Sequence, residues 1–116
     1  MESKRYGMVI GLKEEDLAEY KRLHADAWPE VLARISACNI RNYAIYHRRF
    51  DDGKHYLFSY FEYVGDDFEA DMAKMAADPN TQRWWDVCKP MQIPLEGRSE
   101  GEWWAEMEEV FYYQGG

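Results

Sequence analysis

Metal boxes, phosphate cradles and disulfide frameworks are all missing from this chain. The three histidines, His24, His47 and His55, show no His-x-His or His-Glu-x-x-His spacing, and the acids are scattered, so no metal site is expected. No glycine-rich phosphate loop occurs, and no Gly-x-Ser-x-Gly nucleophile elbow, so no cofactor is indicated. Cysteine is scarce: Cys38 and Cys88 form no Cys-x-x-Cys pair, which predicts reduced thiols in a cytoplasmic protein. Positive charge is also short, with 14 Lys and Arg against 22 Asp and Glu, a net charge of −8. That balance argues against nucleic acid and anionic membrane surfaces as partners, since both reward clustered basic residues. No apolar run approaches the ~20 residues of a membrane span. Met1-Glu2-Ser3-Lys4-Arg5 leads into only a short apolar stretch, so no secretory leader is expected.

What the chain has instead is aromatic side chains. They make up 16% of its 116 residues, and 47% are hydrophobic, enough to build the core of a single domain spanning residues 1–116. Tyr6 to Leu12 alternates as a strand, with Tyr6, Met8, Ile10 and Leu12 on one face. Glu14, Glu15 and Asp16 place acid in a helix first turn, where it suits the macrodipole. Leu17, Tyr20, His24, Ala27, Val31 and Ile35 continue a helical stripe to about Cys38, and Pro29 should kink or restart it.

Ile40 to Arg48 reads as a second strand, Asp51-Asp52-Gly53 as a hairpin turn, and Tyr56 to Tyr63 as a third strand. Phe68, Met72, Met75 and Ala76 mark a second helix ended by Asp78-Pro79. Thr81 is a candidate cap for a short helical segment carrying Arg83, Trp84, Trp85 and Cys88. Residues 89–103 show no periodicity and predict a long loop of the kind that forms lids or binding walls. Met107 to Tyr113 is expected to close the chain as a last strand.

Strand, helix, strand, strand, helix, strand is the ferredoxin-like βαββαβ order, an α+β fold with an antiparallel sheet and helices on one face. The second strand carries Tyr43 and Ile45 on one face and Ala44 and Tyr46 on the other. The third carries Leu57, Phe61 and Tyr63 against Tyr56, Phe58 and Tyr60. Aromatics on both faces predict that both are covered, the free one by a second copy in a homodimer.

Tyr20, His24 and Trp28 stand four apart, so a continuous helix stacks them along one face. A lone His on an apolar stripe is more often structural than catalytic. A phenol and an indole on the same face shift that balance, because rings can cover the C–H face of a sugar while the imidazole moves a proton near neutral pH. Trp84 and Trp85 point about 100° apart on a helix, so one can pack in the core while the other faces a cavity. One His, several Tyr and several Trp suit proton transfer on a small neutral polar molecule.

Four segments carry a resemblance. Tyr20-x-x-x-His24-x-x-x-Trp28-Pro29-Glu30, Asn42-Tyr43-Ala44-Ile45-Tyr46, Arg83-Trp84-Trp85 and Glu109-Val110-Phe111-Tyr112 resemble the L-rhamnose mutarotase family, in order and over nearly the whole chain. The resemblance implies dimeric α/β barrels of ferredoxin-like subunits that interconvert the α and β anomers of a 6-deoxy sugar without a cofactor. It implies His24 as the proton donor, with Tyr20, Tyr43, Trp84 and Trp85 contacting the sugar, and leaves the base open among a phenol, a carboxylate and water. The hairpin from Arg49 to His55 and the loop from Glu96 to Trp104 are longer than the family pattern, so L-fucose stands as the alternative sugar. Two readings from other classes remain: a cofactor-independent monooxygenase acting on aromatic substrates, and a non-catalytic sugar-binding dimer.

Overall fold

The computed structural model describes residues 3–116, so Met1 and Glu2 of the expected leaderless N-terminus lie outside the described residues. Its centre is β1 (Lys4–Leu12), two residues longer than its apolar alternation suggested. β1 pairs along its length with β3 (His55–Tyr63), and β3 pairs with β2 (Ile40–Arg49), all antiparallel. The β2–β3 turn falls at Asp51-Asp52-Gly53, with Gly53 at φ +87. On the other edge of β1, Gly11 and Leu12 pair with β4 (Gln92–Ile93), and Gly7 to Val9 pair with β5 (Ala105–Met107).

Alternation holds as read along β1 and β3, while a register shift between Arg41 and Ala44 interrupts it in β2. Tyr6, Met8, Ile10 and Leu12 join Leu57, Phe61 and Tyr63 on the face covered by helices. The helix restarts at Pro29 as expected, but the break comes before Trp28 instead of just after it. A 3-10 turn at Glu14–Asp16 leads into α1 (Leu17–Ala25), and the chain breaks before α2 (Pro29–Ala37) begins. Proline at the first position of α2 is the reason: it fits there at no cost, but it pushes the preceding residue out of helical geometry. Trp28 accordingly adopts φ −63, ψ 129. The break thus falls ahead of Trp28, which stands off the helix that carries Tyr20 and His24.

The second half repeats this logic. α3 (Phe68–Ala77) stops at Asp78, and Pro79 opens α4 (Pro79–Cys88) instead of only closing what precedes it. The cap of α4 is Asp78, not Thr81: the Asp78 carboxylate accepts from both the Thr81 backbone N–H and its hydroxyl, each at 2.9 Å. Thr81 is buried and is the donor. Residues 89–103 are not wholly irregular, since β4 lies within them and reaches β1. Gly11 makes that approach possible: a Cβ there would lie 2.7 Å from the Ile93 carbonyl oxygen.

The expected strand from Met107 to Tyr113 is corrected most. Backbone pairing ends at Met107, where β5 ends. Beyond it Arg5 holds the chain by side chain instead. Its Nε and Nη2 donate to Glu109 at 2.8 and 2.9 Å, and its guanidinium sits 3.3 Å from the Tyr112 ring centroid. Val110 and Phe111 are left 85% and 82% exposed.

Two apolar clusters lie between sheet and helices. One gathers Ile10, Leu12, Tyr20, Val31, Leu57, Trp84 and Cys88; the other gathers Ile40, Phe61 and Tyr63 with Phe68, Met72 and Met75. Ile35 packs against both. The first contains the site.

Candidate active site

α1 places Tyr20 and His24 one turn apart on the same face. Their rings stack at 4.1 Å between centroids, 22° apart. The His24 Nδ1 lies 2.8 Å from the Tyr20 carbonyl oxygen. A carbonyl only accepts, so Nδ1 carries the hydrogen and Nε2 holds a lone pair. Burial lowers the His24 pKa below its ordinary value, with the bond to the Tyr20 carbonyl opposing the shift. The neutral imidazole therefore dominates at pH 7.

Trp84 reaches this stack from α4. It meets His24 edge-on at 5.0 Å and Trp28 edge-on at 5.0 Å. The row expected on one helix is thus assembled from three elements, with Trp84 bridging the gap that the helix break opens. Trp84 is buried, so it is the core-facing member of the Trp pair. Trp85 is half-buried at the rim, where the Lys89 ammonium lies 5.4 Å from its ring and 5.5 Å from that of Trp103.

Tyr43 comes from β2. Asn42 takes φ +52, and the β2–β3 register shifts between Arg41 and Ala44, a bulge that aims Tyr43 at Phe61, 5.5 Å away. Tyr43 is 45% exposed as a whole, yet burial of its hydroxyl end pushes the phenol up to about 12, with Cys88 nearby adding to the shift. Burial likewise pushes the Cys88 thiol up to about 11. The Tyr20 phenol is raised chiefly by burial, opposed by a hydrogen bond from Gln92 and reinforced by Cys88 and Tyr43. Protonated phenols and a neutral thiol therefore surround a neutral imidazole.

The structure brings Tyr20, His24 and Trp84 into direct contact, sets Tyr43 beside them, and leaves Trp85 on the rim. Sequence reasoning missed Gln92 and Trp103. The Gln92 amide nitrogen donates to the Tyr20 hydroxyl at 3.1 Å, and the Trp103 indole N–H donates to the Gln92 carbonyl oxygen at 2.7 Å. A neutral amide within an apparently aperiodic stretch gives no spacing signal. The only hint was that a partly buried indole N–H needs an acceptor.

The other histidines serve each other. His47 Nε2 and His55 Nδ1 lie 2.9 Å apart, so one donates to the other. An open hollow of about 590 Å³ borders the rim, lined by Lys89, Glu96, Arg98, Glu102 and Trp103 among others. It is charged and does not include His24. Among the described residues no three His, Cys, Asp or Glu side chains converge as metal ligands.

Comparison with known proteins settles the lineage. The family model for L-rhamnose mutarotase matches residues 5–113. The chain belongs to the L-rhamnose mutarotase family. It is 30% identical to an L-rhamnose mutarotase of Bacillus subtilis over 94% of this chain and 97% of the relative. It is 32% identical to one of Klebsiella pneumoniae over 93% and 96%. An L-fucose mutarotase of Xanthomonas campestris stands at the same distance, 31% identical over 96% of this chain and 89% of the relative. The fold is shared with the crystal structure of an L-rhamnose mutarotase from Formosa agariphila, at a TM-score of 0.71, 22% identity and coverage of 96% and 99%.

Proposed function

We propose that this member of the family is an isomerase that interconverts the α and β anomers of L-rhamnose by opening and reclosing the sugar ring, with His24 moving the proton. The observation that carries the reading is the His24 tautomer. Its Nδ1–H is committed to the Tyr20 carbonyl, which leaves the Nε2 lone pair as the exchanging atom inside a wall of rings.

The anomeric hydroxyl oxygen and the ring oxygen are bonded to the same carbon, so one nitrogen can serve both. Nε2 takes the proton from the anomeric hydroxyl as the bond from the anomeric carbon to the ring oxygen breaks. The resulting imidazolium, acidic because its pKa is lowered, returns that proton to the ring oxygen as general acid. Rotation of the freed aldehyde and closure on its other face reverse both transfers. One proton moves and one C–O bond breaks, so the reaction needs no redox or group-transfer cofactor. Acid–base catalysis of this kind contributes roughly 10²–10⁴-fold. Tyr20, Tyr43, Trp84 and Trp85 are the sugar-contacting residues in this reading. The family match favours anomer exchange over monooxygenase chemistry.

Saturation-transfer NMR on L-rhamnose, with and without protein, tests the proposal. Exchange between anomeric signals should accelerate with protein, and an unchanged rate would sink it. L-fucose is the second reading, favoured by the equal identity to the Xanthomonas relative. The same measurement on fucose ranks the two sugars.

The working unit in this reading is a homodimer built as an α/β barrel from ferredoxin-like subunits. The strand order β2-β3-β1-β4 supports the subunit topology. Tyr46 at 67% exposure, Phe50 at 42% and the bare Val110-Phe111 stretch support a second copy on the open face. A stable monomer by sedimentation would remove the barrel. A cytoplasmic setting suits Cys38 and Cys88, both buried and unpaired. No helix among the described residues is long and apolar enough to cross a membrane.

A further inference from the structure

Gln92 is buried 8% exposed between two groups whose hydrogen-bonding options differ. An indole N–H can only donate. At 2.7 Å from Trp103 Nε1, the Gln92 atom must therefore be the carbonyl oxygen; an amide nitrogen there would set two donors face to face. The carboxamide has one other end, and it lies 3.1 Å from the Tyr20 hydroxyl. The amide nitrogen donates, so the phenol oxygen accepts. Tyr20 then has a proton that neither Gln92 nor any other described residue takes up. Burial keeps that phenol protonated well past neutral pH.

We propose that Gln92 and Trp103 are positioning residues that make Tyr20 a one-way hydrogen-bond donor to a sugar oxygen beside His24, and that they thereby couple the 94–104 loop to sugar binding. The inference rests on the anomer-exchange reading above and deepens it by assigning the polarity of one contact. The loop is built to hold Trp103 in place. Arg98 Nε donates to the Glu102 carbonyl and its Nη1 to the Leu95 carbonyl, both at 2.8 Å, and the Ser99 N–H donates to the Glu102 carboxylate at 3.0 Å. Trp103 and Trp104 then pack against the same cluster that holds Tyr20. The direction of donation therefore passes from indole to amide to phenol to sugar.

Gln92→Glu tests the polarity with almost no change in shape. A carboxylate accepts from Trp103 and from Tyr20 alike, so it captures the proton meant for the sugar. Sugar affinity, read by NMR titration, should fall about tenfold, the scale of one lost hydrogen bond, with KM rising more than kcat falls. Tyr20→Phe should lose a similar amount, and Gln92→Glu added to Tyr20→Phe should lose nothing further. Equal losses in both backgrounds, or wild-type affinity in Gln92→Glu, overturns the proposal.

Trp103→Phe supplies a second arm should the glutamate variant not fold. It frees the carboxamide to turn and should weaken binding by less than tenfold; unchanged binding counts against the coupling. The Trp103 indole ¹H–¹⁵N resonance, read without any sugar, should shift in Gln92→Leu and stay put if the indole donates elsewhere. Wild-type protein inert toward both rhamnose and fucose sinks the functional reading and leaves the indole result standing. Active wild type with an indifferent Gln92→Glu sinks this inference alone.

Discussion

Two aromatic clusters share the inner face of one sheet and treat their buried phenols in opposite ways. In the cluster around α3, Tyr63 is fully used. Its hydroxyl donates to Asp71 at 2.5 Å and accepts from the Asp67 N–H at 3.0 Å, while Asn39 donates to the same Asp71 oxygen at 3.0 Å. In the cluster around α1 and α4, the Tyr20 oxygen accepts from Gln92 but its proton has no described acceptor, and His24 keeps a lone pair; Tyr43, whose ring packs on Phe61 of the other cluster, has no described hydrogen-bond partner. Both regions bury similar rings with similar strand partners. What separates the closed cluster from the one proposed to do chemistry is leftover hydrogen-bonding capacity, not hydrophobicity.

The largest effect that can break this contrast is at His24. His24→Ala should slow anomer exchange by roughly 10²–10⁴-fold per folded molecule while the melting temperature changes little. Wild-type exchange in a well-folded variant would return His24 to a packing role. Trp84→Ala comes next and acts through the fold, because Trp84 is buried between His24 and Trp28. It should destabilise by roughly 3–5 kcal/mol in denaturant titration. Trp85→Ala, on the rim, should leave stability nearly intact and weaken sugar binding roughly 2–10-fold, the scale of one ring contact.

The pH dependence sharpens the same contrast. Because the His24 pKa is lowered, its neutral form already predominates at an ordinary histidine value of about 6.5. Exchange should rise with pH through a midpoint below 6.5 and then stay level to pH 8. A rate that keeps climbing as pH falls would mean that imidazolium is the starting form. The sign for stability agrees: protonating His24 costs more in the fold than in the unfolded chain, so its contribution is present above about 6.5 and lost as pH falls.

The smallest effect belongs to the closed cluster. The Tyr63 hydroxyl is the chief cause that lowers the Asp71 pKa, followed by Asn39. A depressed carboxylate stabilises the fold above its unfolded value and loses that contribution as pH falls through the folded one. Tyr63→Phe should lower the melting temperature at pH 7, by an amount that shrinks toward acid, with exchange per folded molecule unchanged. A drop in exchange would mean that the two clusters are not separate.

Alternation was the most legible feature of the sequence, because period two fixes which face each strand residue takes. Leu57, Phe61 and Tyr63 all lie where it puts them, whereas Tyr43 also owes its direction to the bulge at Asn42. Pro29 was legible as a possible restart but Pro79 only as a stop: both open helices, which moved Trp28 off α1 and made Asp78 a cap. Of the five site residues, Tyr20, His24 and Trp84 meet directly, yet the row was reconstructed across α1 and α4, a contact that no local spacing encodes. The closing strand was misjudged because Met107 to Tyr113 has strand-like composition but, past Met107, only the Arg5 side chain to hold it. Gln92 was invisible for a plainer reason: its role comes from Trp103 on one side and Tyr20 on the other, 72 residues away.

Gly11 faces away from the rings, yet it sets how closely β4, and with it Gln92, approaches the sheet. Any side chain there meets the Ile93 carbonyl and pushes β4 outward, and Gln92 is the neighbouring residue of β4. A single methyl group at Gly11 would therefore shift the carboxamide under Tyr20 without entering the site. The closeness of two backbones, and not a side chain in the cluster, thus fixes where that carboxamide sits.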